Sequence, residues 1–439
     1  MSADRIVVEL QSVSLPAGPD APPSTQWILG LREPIRPDQS ALLFPAGTDL
    51  VTLRGTPLAE PAGRVLLEQL CNHPGVAGLL PPAGAGGAGA VYVQLTNTGV
   101  EDIAWEALSC ESMIGDEDTR FLSLSERWAV GRLVPAVPAR SARLQLPLRM
   151  VAVLSALGVD NLGEWKALQE AIFRSDTGPV QLLVLTGDQQ LHTAVTQAAA
   201  GLPAGTLQVG YLPPAPEALA DTVSSWRPDI LHLFCHGAAA DGGSLRLATR
   251  SDFERYEDDR DTVSSIVLQT KGITRCLSAD GGLLLTLNCC EAAAATEELS
   301  SLAYRLTQTG RFAAVVAHRR PVPPAAAHLV CGALYRELLV ALAAAADRPP
   351  VPWSWPGLLS GARRRLAQLP GQTLDESARH GQQWLNPVVN VAVPELALQV
   401  GTEPADGAVA SRMAARILRD DPAGAAALLD AARAQGGGR

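Results

Sequence analysis

A mainly parallel α/β sheet flanked by helices is the architecture this sequence predicts, and three observations predict it. From Arg149 onward, apolar runs of strand length alternate with runs of helix length. Two of the runs, Ile230 to Cys235 and Leu283 to Leu287, are almost wholly apolar, as strands covered on both faces must be. Each stops abruptly short of a reactive side chain, His236 in one case and Cys290 in the other. Functional groups of parallel sheets collect just beyond the carboxyl ends of the strands.

Taken in order, residues 1 to about 90 are punctuated by Pro and Gly. They carry strand patterns at Ile6 to Leu10 and Gln26 to Leu31, and a helix pattern from Ala62 to Leu70 that ends near His73-Pro74-Gly75. The low-complexity stretch Pro81 to Gly89 marks the first boundary and closes a β-containing N-terminal region. A strand follows at Ala90 to Thr96, then the segment Ile103 to Leu108, and a further strand and turn within Phe121 to Val134. In the alternating part, strands are expected at Met150 to Leu154, Val180 to Leu185, Leu207 to Tyr211, Ile230 to Cys235, Leu283 to Leu287 and Ala313 to Ala317. The helices between them are expected near Asn161 to Phe173, Gln189 to Ala200, Pro216 to Trp226, Ala293 to Gln308 and Ala325 to Ala346. The charged run Arg255 to Asp261 reads as a solvated loop, or as a loop offering acidic groups to a basic substrate. Residues 401–439 form a helical tail, leaving 91–400 as the central domain.

With 439 residues, 47% of them hydrophobic, the chain can bury a large core. Its net charge of −10, without a sustained basic run, argues against nucleic acid as a partner, because that affinity rests on Lys and Arg neutralising phosphates. Only Lys166 and Lys271 are lysines among 35 basic residues, a bias expected of a GC-rich bacterial genome. No basic and apolar leader opens the chain, and the Ala-rich helix around Leu338 to Ala346 reads as too short to cross a bilayer. A cytoplasmic protein without a membrane partner is expected. The seven cysteines are odd in number and lack framework spacing, so structural disulfides are not expected.

A thiol is a nucleophile only as thiolate, and an imidazole beside it can take its proton and later protonate a leaving amine. Gly237 after His236 lets a substrate approach the backbone and offers an N–H to a developing oxyanion; the N–H of Cys290 would be the second donor. Cys289 precedes Cys290, and adjacent side chains on a strand face opposite ways, so only one of the two can meet His236. The neighbouring His232, Cys235, Cys289 and Cys290 invite a zinc reading, but their spacings match no metal motif and no metal is expected. The glycines Gly84, Gly86 and Gly87 lack the Lys of a phosphate loop, and no cofactor is expected.

Four blocks in order resemble the CHAT family of caspase-like cysteine peptidases, relatives of caspases, separases and gingipains. They are Trp105-Glu106 with Phe121-Leu122-Ser123-Leu124; His232 to Gly237 with Leu245-Arg246-Leu247; Asn288-Cys289-Cys290-Glu291; and Ala313 to Ala317 with Pro321-Val322-Pro323 and Tyr335-Arg336-Glu337-Leu338. The resemblance, which spans about residues 90 to 400, implies a caspase-like fold with Cys290 as nucleophile and His236 as general base and acid. It also implies a protein substrate, an activating partner or sensor protein, and a role in bacterial signalling, stress or defence. Asp241 and Glu291 are candidates to contact substrate. The alternative is a catalytically silent scaffold of the same fold, against which the presence of both His236-Gly237 and Cys290 counts.

Overall fold

The computed structural model describes residues 4–15, 24–33, 43–46, 60–77, 79–80, 89–110, 120–125, 127–137, 143–174, 176–238, 243–277, 281–289, 300–368, 383–394 and 396–402. Its strands are β1 (Asp4–Leu15), β2 (Ser24–Glu33), β3 (Leu43–Ala46), β4 (Gly89–Gln94), β5 (Trp128–Leu133), β6 (Arg143–Leu146), β7 (Leu148–Leu154), β8 (Val180–Thr186) and β9 (Leu207–Tyr211). They continue with β10 (Ile230–Phe234), β11 (His236–Ala238), β12 (Ser244–Leu247), β13 (Ile266–Leu268), β14 (Gly282–Leu287), β15 (Phe312–His318), β16 (Val351–Trp353), β17 (Pro387–Val391) and β18 (Leu396–Thr402).

Twelve of these strands make one sheet in the order β3-β2-β1-β4-β5-β17-β15-β14-β10-β7-β8-β9. From β15 to β9 every pairing is parallel, and so is every pairing from β17 to β1. The two blocks meet at the antiparallel pair β15/β17, and β2 and β3 finish the far edge antiparallel. The fold class read from the sequence is therefore the one observed, with the N-terminal strands continuing the same sheet through β1 and β4.

Helices cover both faces because the strands between them are apolar throughout, each fully buried large side chain contributing about 1.5–3 kcal/mol. Leu154, Met150 and Leu284 face the helices Asn161–Ile172 and Pro324–Ala345, whereas Val153, Leu231 and Leu285 face Pro216–Trp226 and Leu302–Gln308. The buried Asp229 staples the entry of β10 by accepting from the Arg149 N–H (2.8 Å), and its own carbonyl accepts from the Leu283 N–H (2.7 Å).

Two elements correct the sequence reading. The helix Pro324–Ala345 falls where the helix Ala325 to Ala346 is expected, but its 22 residues are long and apolar enough to cross a membrane, contrary to the reading of the part around Leu338 to Ala346 as too short. Its buried residues, among them Val330, Leu334, Tyr335 and Leu338, belong to the core, which accounts for its apolarity. The run Arg255 to Asp261, expected as a loop, lies partly in the helix Arg250–Asp258. That helix starts at a capping box in which Thr249 and Asp252 exchange hydrogen bonds. The solvated character holds: Arg255, Asp258, Arg260 and Asp261 are exposed, and Arg260 stacks over Tyr256.

Asp252 gives a prediction. Burial would raise its pKa, but hydrogen bonds from Ser265 and Thr249 outweigh burial and hold it at about 2. The unfolded value is about 3.9, so the stabilisation is complete above that pH and is lost as pH falls toward 2. Asp252→Asn should cost about 2 kcal/mol at pH 7, and urea unfolding should show the gap to wild type closing between about pH 5 and pH 2. A gap that stays constant through that window would contradict the assignment.

Candidate active site

The two strands singled out in the sequence are neighbours. β10 and β14 pair in parallel, Ile230 beside Leu284 and Leu233 beside Leu287, and the Asn288 N–H continues the ladder to Leu233 O (2.9 Å). Beyond the ladder, the side chains of Cys235 and Cys289 meet, both buried in the core face that also holds Leu233 and Leu287. The hydrogen bond to Cys235 and burial together raise the Cys289 pKa well above that of a free thiol. Cys289 is thus a protonated core residue, as expected from alternation along the strand.

His236 stands one residue past Cys235 at the start of β11, and its side chain is exposed. β11 leaves the main sheet and pairs with β12, placing His236 opposite Arg246 and Gly237 opposite Leu245; β13 completes this small antiparallel sheet. Nε2 of His236 lies 2.7 Å from the carbonyl oxygen of Leu157. A carbonyl only accepts, so Nε2 carries the proton and the lone pair of the neutral ring sits on Nδ1. Sequence reasoning missed this carbonyl, since a backbone oxygen leaves no signature in residue type.

Asn161 fixes the loop that presents it. Its Oδ1 accepts from the Ala156 N–H (2.9 Å), and its Nδ2 donates to Ala156 O (2.9 Å) and Val159 O (3.2 Å). Next to Leu157, Gly158 has φ +70°, and a Cβ there would come within 2.5 Å of the Tyr256 hydroxyl. Gly158→Val should therefore displace the Leu157 carbonyl. The ring 15N chemical shifts of His236 at a fixed pH should differ between Gly158→Val and wild type; identical shifts would exclude the carbonyl from any role in orienting the ring.

Below the strand ends lies a buried polar network that sequence reasoning did not find. Asp160 caps the helix Asn161–Ile172 by accepting from the Gly163 N–H (2.8 Å), and the first turn then turns Glu164 inward. Asn288 donates through Nδ2 to Glu164 Oε1 (2.7 Å) and to Ala327 O (3.0 Å), which fixes its amide so that Oδ1 accepts from His318 Nε2 (2.8 Å). Burial pushes the pKa of His318 down to about 4 despite the nearby Glu164, so the ring is neutral at pH 7. Burial acts to raise the Glu164 pKa, but His232, Cys331 and Asn288 outweigh it and hold the carboxyl ionised. His232 therefore lies on the face opposite Cys235 and Cys289, in contact with Glu164 and Tyr335. Asn288→Leu should cost about 3 kcal/mol in urea unfolding, because it strips the buried carboxylate of a donor.

Cys290, Glu291 and Asp241 lie outside the described residues. Of the residues read from the sequence, the structure brings side by side β10 and β14, the strands that precede His236 and Asn288-Cys289, and assigns Cys289 and His232 to opposite faces.

No curated protein matches the chain. Among solved structures, the Arg-specific cysteine proteinase gingipain R aligns with 10% identity over 80% of this chain and 74% of its own, with a TM-score of 0.38. The Porphyromonas gingivalis complex of RgpB pro- and mature domains aligns with 11% identity over 80% and 75%, with a TM-score of 0.37. The Saccharomyces cerevisiae separase–securin complex aligns with 12% identity over 77% of this chain but 17% of its own, with a TM-score of 0.37. The CHAT domain family model matches residues 167–347, a span that runs from the helix carrying Glu164 to the end of the helix carrying Tyr335 and includes β10, β11 and β14. Residues 167–347 are thus similar to the CHAT domain family.

Proposed function

We propose that the chain is a caspase-like cysteine endopeptidase acting through Cys290 and His236. The observation that carries this reading is the β10/β14 pairing. It brings side by side the two strands that precede His236 and Cys290 in sequence, while Cys289 is engaged with Cys235 in the core. His236 is exposed, with Nε2–H held by the Leu157 carbonyl, which leaves Nδ1 as the base.

Nδ1 takes the thiol proton and the Cys290 sulfur attacks the peptide carbonyl, whose oxygen becomes an oxyanion facing the backbone N–H groups of Gly237 and Cys290. Collapse breaks the C–N bond as His236 returns the proton to the leaving amine. The thioester is then hydrolysed by a water that His236 deprotonates, which restores the thiol. Asp241 and Glu291 are placed in sequence to select the substrate residue. The substrate is a protein, and the chain acts in a bacterial signalling, stress or defence pathway under an activating protein partner.

Fluorogenic peptides varied at P1, offered to wild type, Cys290→Ala and Cys289→Ala, test this reading. Cleavage by wild type and Cys289→Ala but not Cys290→Ala is expected. Cleavage that survives in Cys290→Ala contradicts the reading, and silence of every variant with every peptide and candidate partner favours the scaffold.

A further inference from the structure

The buried network contains more donor atoms than its hydrogen bonds use. Glu164 Oε2 and His328 Nε2 are buried without a hydrogen-bond partner, and His232 Nε2 meets the network only through its 3.0 Å contact with Glu164 Oε1. The side chains of Glu164 and His232 are wholly inaccessible, and an unpaired buried polar atom costs about 1–3 kcal/mol, so the convergence of these atoms calls for a cause. A ligand atom each from Glu164, His232 and Cys331 lie within 4.8 Å of one another. His328 Nε2 is 3.8 Å from Glu164 Oε2.

Two of the donors are also held from behind, as metal ligands are. Glu164 Oε1 accepts from Asn288 Nδ2 (2.7 Å), which leaves Oε2 to point inward. Nδ1 of His232 lies 3.2 Å from the Tyr335 hydroxyl, which is itself bonded to Thr286 Oγ1 (3.0 Å), and Nε2 of the same ring lies 3.0 Å from Glu164 Oε1, so the ring is fixed with Nε2 toward the carboxylate. His328 and Cys331 stand three residues apart on the helix Pro324–Ala345 and so share its inner face. The glycine at position 163 lets the His328 ring close in, since a Cβ there would meet the ring at 2.5 Å.

We propose that Glu164, His232, His328 and Cys331 bind one borderline-soft divalent metal ion, with Zn2+ the best match to a carboxylate, two imidazoles and a thiolate. The charges close: one carboxylate and one thiolate balance a dication, and binding releases the Cys331 proton to solvent. Nothing in this site depends on Cys290 or on peptidase activity. A cavity of about 380 Å³ between the helices Asn161–Ile172, Pro324–Ala345 and Trp355–Ala367 has His328 in its wall and supplies the entry path. This differs from the zinc reading of the sequence, because of its four residues only His232 is a ligand here, and the others come from the helices Asn161–Ile172 and Pro324–Ala345.

The test is elemental analysis of the full chain expressed with zinc and purified without chelator, paired with Co2+ loading of the chelator-stripped protein. One zinc per chain is expected, together with a Co2+ spectrum that combines tetrahedral ligand-field bands with a thiolate charge-transfer band. Cys331→Ser should lose the charge-transfer band, whereas Cys289→Ala and Cys290→Ala should keep it. His328→Ala, at the edge of the core with its side chain 13% exposed, keeps the comparison available if Cys331→Ser does not fold, and should bind zinc at least ~10-fold more weakly. A folded wild type that neither carries zinc nor gives the Co2+ spectrum overturns the proposal. So does a thiolate band that persists in Cys331→Ser, or unchanged zinc affinity in His328→Ala.

Discussion

His236→Ala is expected to lower peptide cleavage by about 10²–10⁴-fold, the range over which a positioned acid–base group accelerates a reaction. The same substitution should move the pH profile of Cys290 alkylation to higher pH, since a thiol that has lost its imidazole partner ionises nearer the free value of about 8.5. The expected effect is large because in the proposed mechanism one ring serves twice, as base toward the thiol and as acid toward the leaving amine. Cys289→Ala supplies the contrast. Its thiol is buried against Cys235, so the substitution should lower stability slightly and leave the alkylation profile in place. An alkylation profile unchanged in His236→Ala would separate the ring from the thiol and remove the dyad.

Arg132→Leu should cost about 3–5 kcal/mol, the penalty of leaving a buried carboxylate without its partner. Arg132 is almost fully buried on β5 and holds both oxygens of the equally buried Glu106 (2.8 Å each). It also donates to the carbonyls of Glu101 (2.5 Å) and Ile103 (3.0 Å). Burial would raise the Glu106 pKa, yet Arg132 outweighs burial and keeps the carboxyl below its ordinary range. Lys in place of Arg cannot make the two-pronged contact and should recover little. Replacing both partners at once, Arg132→Met with Glu106→Leu, should restore part of the loss, because neither member of the pair is then left facing the other's absence, while Glu101 still loses Arg132 and Arg319 and Arg363 still lose Glu106. Urea unfolding of wild type, Arg132→Met, Glu106→Leu and the double variant gives the coupling; an additive double variant would contradict the account.

The strands and helices within residues 167–347 were legible because their physics is local. Leu207–Tyr211, Gln189–Ala200 and Pro216–Trp226 fall where the apolar period and the flanking Pro and Gly place them. The adjacency of β10 and β14 was legible for a second reason, since two apolar runs that end in paired chemistry serve catalysis only side by side. The helix Arg250–Asp258 was missed because its charged composition resembles a solvated loop, and the signal available was the box formed by Thr249 and Asp252. Strands β16 and β18 are short pieces whose pairing with each other and with β6 is set by tertiary contact rather than by pattern.

The site was half legible. His236 and Cys289 stand where alternation along the strands puts them, facing solvent and core. The Leu157 carbonyl and the Glu164 network were not legible, because their partners are distant in sequence: Glu164 and Asn288 are 124 residues apart. No spacing rule spans such a distance. The contacts of the buried His232 with Tyr335 and Glu164 are likewise set by residues distant in sequence.

The central claim is that Cys290 is a nucleophile activated by His236, and labelling with an acyloxymethyl-ketone peptide probe tests it most directly. Wild type, Cys290→Ala, Cys289→Ala and His236→Ala would be treated with probes bearing Arg, Leu or Asp at P1 and then mapped by mass spectrometry. The account predicts a single adduct on Cys290 in wild type and Cys289→Ala, and none in the other two. An adduct on Cys289, or labelling of Cys290 at an undiminished rate in His236→Ala, would contradict it.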